Sequence, residues 1–159
     1  MIESNYKRQT IIPIVLRPMV KEDRPLVLSK WLNGYYRGAV APFKWCSHST
    51  FYMLYQPTVE ALLRASYVRV AVAPEDDSLI CGFAVVQDNM VHWCSTQERY
   101  RGHGIMRDLL QDLVDESMVY THETMHWRRK WAPHLPKWKY RPEAVEEVVR
   151  KDQKAMRIA

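Results

Sequence analysis

The sequence predicts an α/β domain: a mixed central sheet of about six to seven strands, flanked by helices. Three observations predict it. Runs with apolar residues at every second position alternate along the chain with runs spaced for a helix. One strand-like run, Met90–Thr96, leads through Gly102 and Gly104 straight into a helix-like run, Ile105–Met118. The 159 residues, 47% hydrophobic and 26% charged, have the size and composition of one globular domain.

Taken in order, residues 1–10 are polar and read as an N-terminal arm. Ile11–Arg17 reads as a strand, with Pro13 placing it at an edge or at its own start. Asp23 is a plausible N-cap and Pro25 suits a first turn. The apolar face Leu26, Val27, Trp31, Leu32 then runs to Asn33-Gly34, a stop signal. Tyr35–Ser49 reads as an irregular, aromatic loop. Ser49 or Thr50 caps a helix over Phe51–Arg64 that Pro57 should break or delay. Tyr67–Ala73 alternates as a strand, Pro74–Ser78 is a turn, and Leu79–Gln87 is the next strand. Asp88-Asn89 turns the chain back into Met90–Thr96. After the Ile105–Met118 helix come a short strand (Met118–Thr121), a short helix (Glu123–Trp131) ended by Pro133 and Pro136, and a last strand (Trp138–Arg141). Residues 143–159 read as a helix, Glu143–Lys151, and a mobile basic tail. The helix is acidic early and basic late, as its dipole favours. The order is therefore β-α-α-β-β-β-α-β-α-β, then a helix.

The totals narrow the function. Net charge is +5 and pI about 9.2. That favours an acidic partner: a phosphorylated ligand, nucleic acid or an acidic protein surface. Cys46, Cys81 and Cys94 are isolated and odd in number, so no disulfide framework or CxxC site is visible and a reducing, cytoplasmic setting is expected. No apolar run approaches membrane-spanning length, and Lys7-Arg8 is not followed by a signal-peptide core.

The stretch Tyr100-Arg101-Gly102-His103-Gly104-Ile105-Met106 carries the chemistry. A strand, a glycine turn and a helix N-terminus leave backbone N–H groups without acceptors, which suits an anion. At this point the chain resembles the GNAT (Gcn5-related N-acetyltransferase) superfamily. Its signature, Arg/Gln-x-x-Gly-x-Gly/Ala after an aromatic residue at the end of the fourth strand, is followed from Tyr100 to Ile105. Met106 stands where the family has Gly or Ala. The opening strand, Arg17-Pro18, acidic turn and helix add to the resemblance, which spans residues 11–142. The His92-Trp93 and Thr121-His122 pairs make it similar to GNAT-like proteins encoded by bacteriophages.

The resemblance implies an acetyl-CoA-dependent N-acetyltransferase acting on a protein lysine, an N-terminus or a small amine, by direct transfer in a ternary complex. It implies that the backbone of Cys94, Ser95 and Thr96 pairs with the pantetheine arm. It also implies that Arg101, Gly102, His103, Gly104, Ile105 and Met106 cradle the pyrophosphate. Transfer needs a base and an acid. His92 and His122 are base candidates, with Glu98 behind them. Strand parity puts His92 on the face of Cys94. The family's tyrosine acid is missing from His126–Leu135, which leaves Tyr120 or Tyr140. A buried strand cysteine is the expectation for Cys94, not a nucleophile.

Two rival patterns stand beside this. His122-Glu123-Thr124-Met125-His126 is a literal His-Glu-x-x-His, a zinc peptidase motif if it is helical throughout, with Glu146 as a third ligand. Residues 127–141 interleave cations with aromatics, which suits a protein partner or nucleic acid. With Met106 in the signature and no evident acid, a non-catalytic assembly part, a virion component for instance, is the alternative. It predicts a groove filled by Met106 or Trp93.

Overall fold

The computed structural model describes residues 12–158; the expected arm and Ile11 lie outside them. The strands are β1 (Val15–Pro18), β2 (Tyr67–Ala73), β3 (Asp76–Gln87), β4 (Met90–Thr96), β5 (Val119–Tyr120) and β6 (Lys139–Tyr140). The helices are α1 (Arg24–Gly38), α2 (His48–Ala65), α3 (Ile105–Leu110), α4 (Met125–Lys130) and α5 (Ala144–Ile158). Their order along the chain is the expected one. The six strands form one mixed sheet in sequence order: β1 to β4 are antiparallel, and β4–β5 and β5–β6 are parallel.

Alternation in the strands builds a core on each face. Val68, Val70, Val72, Phe83, Val85 and Trp93 face Val27, Trp31, Leu32, Phe51, Leu62 and Val148 of α1, α2 and α5. On the opposite face Ala71, Ala84, Val86 and Val91 meet Ile105, Leu109, Leu110 and Trp127 of α3 and α4, with Met118 and Trp138. Small residues on this side of β2 and β3 let the short helix α3 lie close.

Several boundaries differ from those the sequence predicts. Asn33-Gly34 does not stop α1, which runs on to Gly38. Gly34 is instead a packing notch: a Cβ there would stand 3.0 Å from Trp93 Cζ2. Asp23 makes no side-chain cap on α1; its carboxylate accepts from Val20 N–H (2.8 Å) and Arg17. Ser47, not Ser49 or Thr50, caps α2, accepting from Thr50 N–H at 3.2 Å. Pro57 sits inside α2 without breaking it. The carbonyl it frees belongs to Met53, a residue 70% exposed. The helix expected over Ile105–Met118 ends at Leu110, and β3 begins at Asp76 instead of Leu79. The basic tail is not loose: α5 continues helical to Ile158.

The β3–β4 ladder carries one irregularity that matters. Val85 pairs with Trp93 and Val86 with Val91, so His92 has no partner in β3. This bulge resets the alternation. Met90 and Trp93 pack on one core, Val91 and Cys94 on the other. Alternation therefore does not fix the face of His92 relative to Cys94.

Candidate functional site

The site begins where two strands part. β5 pairs with β4 only at Met90–Val119 and Val91–Tyr120, and Thr121 N–H donates to Val91 O at 3.2 Å. Beyond that point β4 keeps β3 on one side. Among the described residues no strand lies along its other edge, from His92 to Thr96. The opening is a cleft of about 1700 Å³. β4 forms its floor, α1 one wall, α4 the other, and the chain from Gln97 to Arg107 its rim. The walls are tied at the end of α1, where Ala39 bridges Thr124 and Val40 N–H donates to Glu123 O at 3.3 Å.

The expected cofactor-binding residues, His92, His122, Tyr120 and Glu98 line this one cleft; Tyr140, Glu123 and Glu146 do not. Cys94, Ser95 and Thr96 lie on the floor, and Arg101 to Met106 on the rim. His92, His122 and Tyr120 lie at the point of splay. Gly102 and Gly104 take φ of 82° and 78°, the left-handed region that other residues avoid. Their turn delivers the chain into α3, whose first-turn N–H groups have no helical acceptors. Arg101 Nε donates to Thr96 O at 3.3 Å, holding the rim against the end of the floor. Six cations line the cleft (Lys30, Arg37, Arg99, Arg101, Arg107 and Lys130) against one carboxylate, Glu98. No sequence pattern places Lys30 or Arg37 here, and Lys130 is read from the sequence only as part of the cation–aromatic run 127–141; α1 and α4 converge only in the fold.

The groove is not plugged. Trp93 turns towards α1 and stacks on Trp31, with centroids 5.9 Å apart. Met106 is half-buried against the core beneath α3.

His92 and His122 are buried, 1% and 6% exposed. Every ring nitrogen is engaged. His92 Nε2 meets Gln87 Oε1 (3.0 Å) and its Nδ1 meets Thr121 Oγ1 (2.9 Å). His122 Nδ1 meets the same Oγ1 (2.8 Å), and its Nε2 meets the Tyr55 hydroxyl (2.5 Å). Burial lowers His92 to about 4 and His122 to about 3, so both are neutral at physiological pH. Tyr120 is half-buried, and its hydroxyl donates to Glu123 Oε2 at 3.4 Å. Burial first and then Glu123 raise its pKa, keeping it protonated. His126, on the first turn of α4, is exposed in the cleft. Burial of part of its ring, then Arg101 and Lys130, lower its pKa and favour the neutral imidazole. The sequence places His126 only in the zinc motif. Cys94 is half-buried instead of buried, and desolvation raises the pKa of its thiol, which makes it a poor nucleophile.

The zinc geometry is missing. Thr124 is extended and caps α4, accepting from Trp127 N–H at 3.1 Å, so His122 and His126 do not share a helical turn. Glu123 is bound to Arg128 Nε at 2.6 Å. Among the described residues no three His, Cys, Asp or Glu side chains are grouped to hold a metal. The aromatic residues of 127–141 divide between core and surface. Trp127 and Trp138 are 8% exposed, and Tyr140 stacks on Tyr120 at 5.3 Å. Of the residues expected to stack on nucleic acid, Trp127 and Trp138 are used by the core, whereas Trp131 is half-buried and Tyr140 is 42% exposed. No helix among the described residues is long and apolar enough to cross a membrane.

No protein-family model matches the chain. No curated protein matches it. Solved structures do. A GCN5-related N-acetyltransferase (aminotransferase, class-II) from Rhodopseudomonas palustris is 14% identical with a TM-score of 0.49, covering 66% of either chain. YjaB from Escherichia coli in its apo form is 19% identical with a TM-score of 0.45, over 62% of this chain and 63% of that one. An N-acetyltransferase from Staphylococcus aureus Mu50 is 19% identical with a TM-score of 0.41, over 64% of each. The chain thus spans just under two thirds of the length of these structures. A likeness with TM-scores below 0.5 does not bear on activity.

Proposed function

We propose that this protein is an acetyl-CoA-dependent N-acetyltransferase that acts on an amine acceptor by direct transfer in a ternary complex. One observation carries the reading: an unpaired strand edge, Cys94–Thr96, runs into a double-glycine turn inside a cleft with six cations and one carboxylate. A strand edge suits the amide-bearing pantetheine arm. The first-turn N–H groups of α3 and the cations suit the phosphates.

Within this reading the backbone of Cys94, Ser95 and Thr96 aligns the arm, and residues 101–106 hold the pyrophosphate. A floor N–H steadies the oxygen of the thioester carbonyl as it gains charge. The amine nitrogen bonds to the acetyl carbon as the carbon–sulfur bond breaks. Tyr120, held protonated, gives its proton to the leaving thiolate. His92 and His122 are the bases the sequence favours, but their ring nitrogens are all committed to other partners. We assign the base to His126, whose imidazole is neutral and open to the cleft.

Titrating the protein with acetyl-CoA, by calorimetry or thermal shift, tests the binding. Ligand at a hundred times its Kd stabilises a protein by about 2.7 kcal/mol. No shift with folded protein would overturn the proposal. Tyr120→Phe and His126→Gln should each lower kcat by roughly a hundredfold while leaving acetyl-CoA affinity within about twofold. A drop in affinity instead would make them binding residues.

A non-catalytic binding role in an assembly, such as a virion, is the second reading. The observation that favours it is the commitment of both His92 and His122 to the interior. It predicts coenzyme A affinity with no acetyl transfer to any peptide or small amine.

A further inference from the structure

Five polar side chains form an unbroken line at the point of splay: Gln87, His92, Thr121, His122 and Tyr55. They come from the end of β3, the bulge of β4, the residues just after β5, and the middle of α2. The successive contacts are 3.0, 2.9, 2.8 and 2.5 Å.

Counting protons along the line gives it a direction. Gln87 presents a carbonyl oxygen, so His92 Nε2 carries the hydrogen and donates. A neutral ring with Nε2–H leaves Nδ1 as an acceptor, which the Thr121 hydroxyl fills. Thr121 has then spent its only hydrogen, so its oxygen accepts from His122, whose Nδ1 must carry the hydrogen. His122 Nε2 is left as an acceptor, and the Tyr55 hydroxyl donates to it. A phenol is a good donor, and burial raises its pKa, keeping it protonated. Every polar atom on the line is matched, with no charge.

We infer that His92 and His122 are locked in opposite neutral tautomers, Nε2–H and Nδ1–H respectively. The line through Thr121 is a positioning network that holds β4 and β5 at the mouth of the cleft. The backbone ladder between these strands ends at Val91 and Thr121, where the side-chain line takes over. His122 extends the hold to the α1 wall and the floor, lying edge-on to Trp31 (5.3 Å) and Tyr35 (4.8 Å) of α1 and to Trp93 (6.2 Å) of β4. Thr121 is the central member, since it alone donates to one ring and accepts from the other. The inference stands whether or not the cleft transfers acetyl groups.

The test is long-range proton–nitrogen correlation NMR of the ring nitrogens in uniformly nitrogen-15-labelled, ligand-free protein at neutral pH. The expected spectrum shows His92 as the Nε2–H tautomer and His122 as the Nδ1–H tautomer. Thr121→Ser, which keeps the hydroxyl, should preserve the pair. Thr121→Val, which keeps the shape and removes the hydroxyl, should release it, with at least one ring averaging between tautomers or switching. The same tautomer on both rings, or the reversed pair, overturns the inference. So does a Thr121→Val protein with both tautomers unchanged. If Thr121→Val does not fold, the wild-type spectrum and Tyr55→Phe decide. Loss of the tyrosine hydroxyl should free the tautomer of His122, and an unchanged ring overturns the network.

Discussion

His92 and His122 are each held neutral by burial, and that fixes the sign of a pH effect. Their folded pKa values, about 4 and about 3, lie below the ordinary 6.5. Between those limits the unfolded chain binds more protons than the folded one, so stability falls as pH drops. The contribution is complete above about pH 6.5 and is lost progressively below it, by about 1.4 kcal/mol per pH unit for each ring. Urea denaturation at pH 7, 6 and 5 should show this slope, and a His122→Gln variant should show it reduced. Stability unchanged from pH 7 to 5 would contradict the burial of both rings. At this scale the sequence is legible for backbone chemistry and poorly so for side-chain surroundings. The glycine turn declares itself by residue type, whereas the run of Cys94 to Thr96 is singled out only through the family resemblance. The engagement of His92 depends on a bulge, and alternation cannot reveal a bulge because it assumes that none exists. Gly34 misleads for a similar reason. A helix-ending signal and a packing notch look alike until Trp93 is seen against it.

Among the elements, β4 and β2 are legible to the residue because short runs of strand formers bounded by turn residues leave little choice. Helix ends are not, because distant residues set them. α3 stops at Leu110 while apolar spacing continues, and Arg69 of β2 donates to the carbonyls of Leu109 (3.3 Å) and Gln111 (2.8 Å). α5 outruns its expected end because Val148 enters the core and Asp152 pairs with Arg64 at 2.8 Å. The N-terminal corner is held the same way. Arg17 of β1 donates to Asp23 (2.6 and 3.1 Å), to Asp77 Oδ1 (2.8 Å) and to the carbonyls of Asp77 and Pro18. Burial disfavours ionised Asp23, but the hydrogen bonds from Arg17 and Val20 hold its pKa below the ordinary carboxylate value. Arg17→Met should therefore leave a carboxylate that is 5% exposed without its cation. The expected cost is on the order of 3 kcal/mol in urea denaturation, and Arg17→Met/Asp23→Leu should recover much of it. A double variant no more stable than the single one would mean that Arg17 acts through Asp77 instead.

Across the whole molecule the net charge of +5 is unevenly placed, and the cleft takes a large share of it. Exposed cations are screened over roughly 10 Å at 0.1 M salt, so they act on a ligand that enters the cleft, and act less as salt rises. A phosphorylated ligand should feel this, whereas a neutral one of the same reactive chemistry should not. Coenzyme A affinity is therefore expected to fall about tenfold or more between roughly 0.05 and 0.5 M sodium chloride. S-acetylpantetheine, which lacks the phosphates and the nucleotide, should bind weakly and almost independently of salt. Arg37→Gln and Lys30→Gln, on the α1 wall, should weaken coenzyme A several-fold and flatten its salt dependence. Lys139→Gln, on β6 outside the cleft, should do neither. Calorimetric titrations of the four proteins with both ligands separate the possibilities. If both ligands show the same salt dependence, the cations do not read phosphate, and the charge of the cleft serves the acceptor instead. If coenzyme A alone responds and only the α1 variants change it, the wall supplied by the first helix is part of the nucleotide site, which no local pattern in that helix declares.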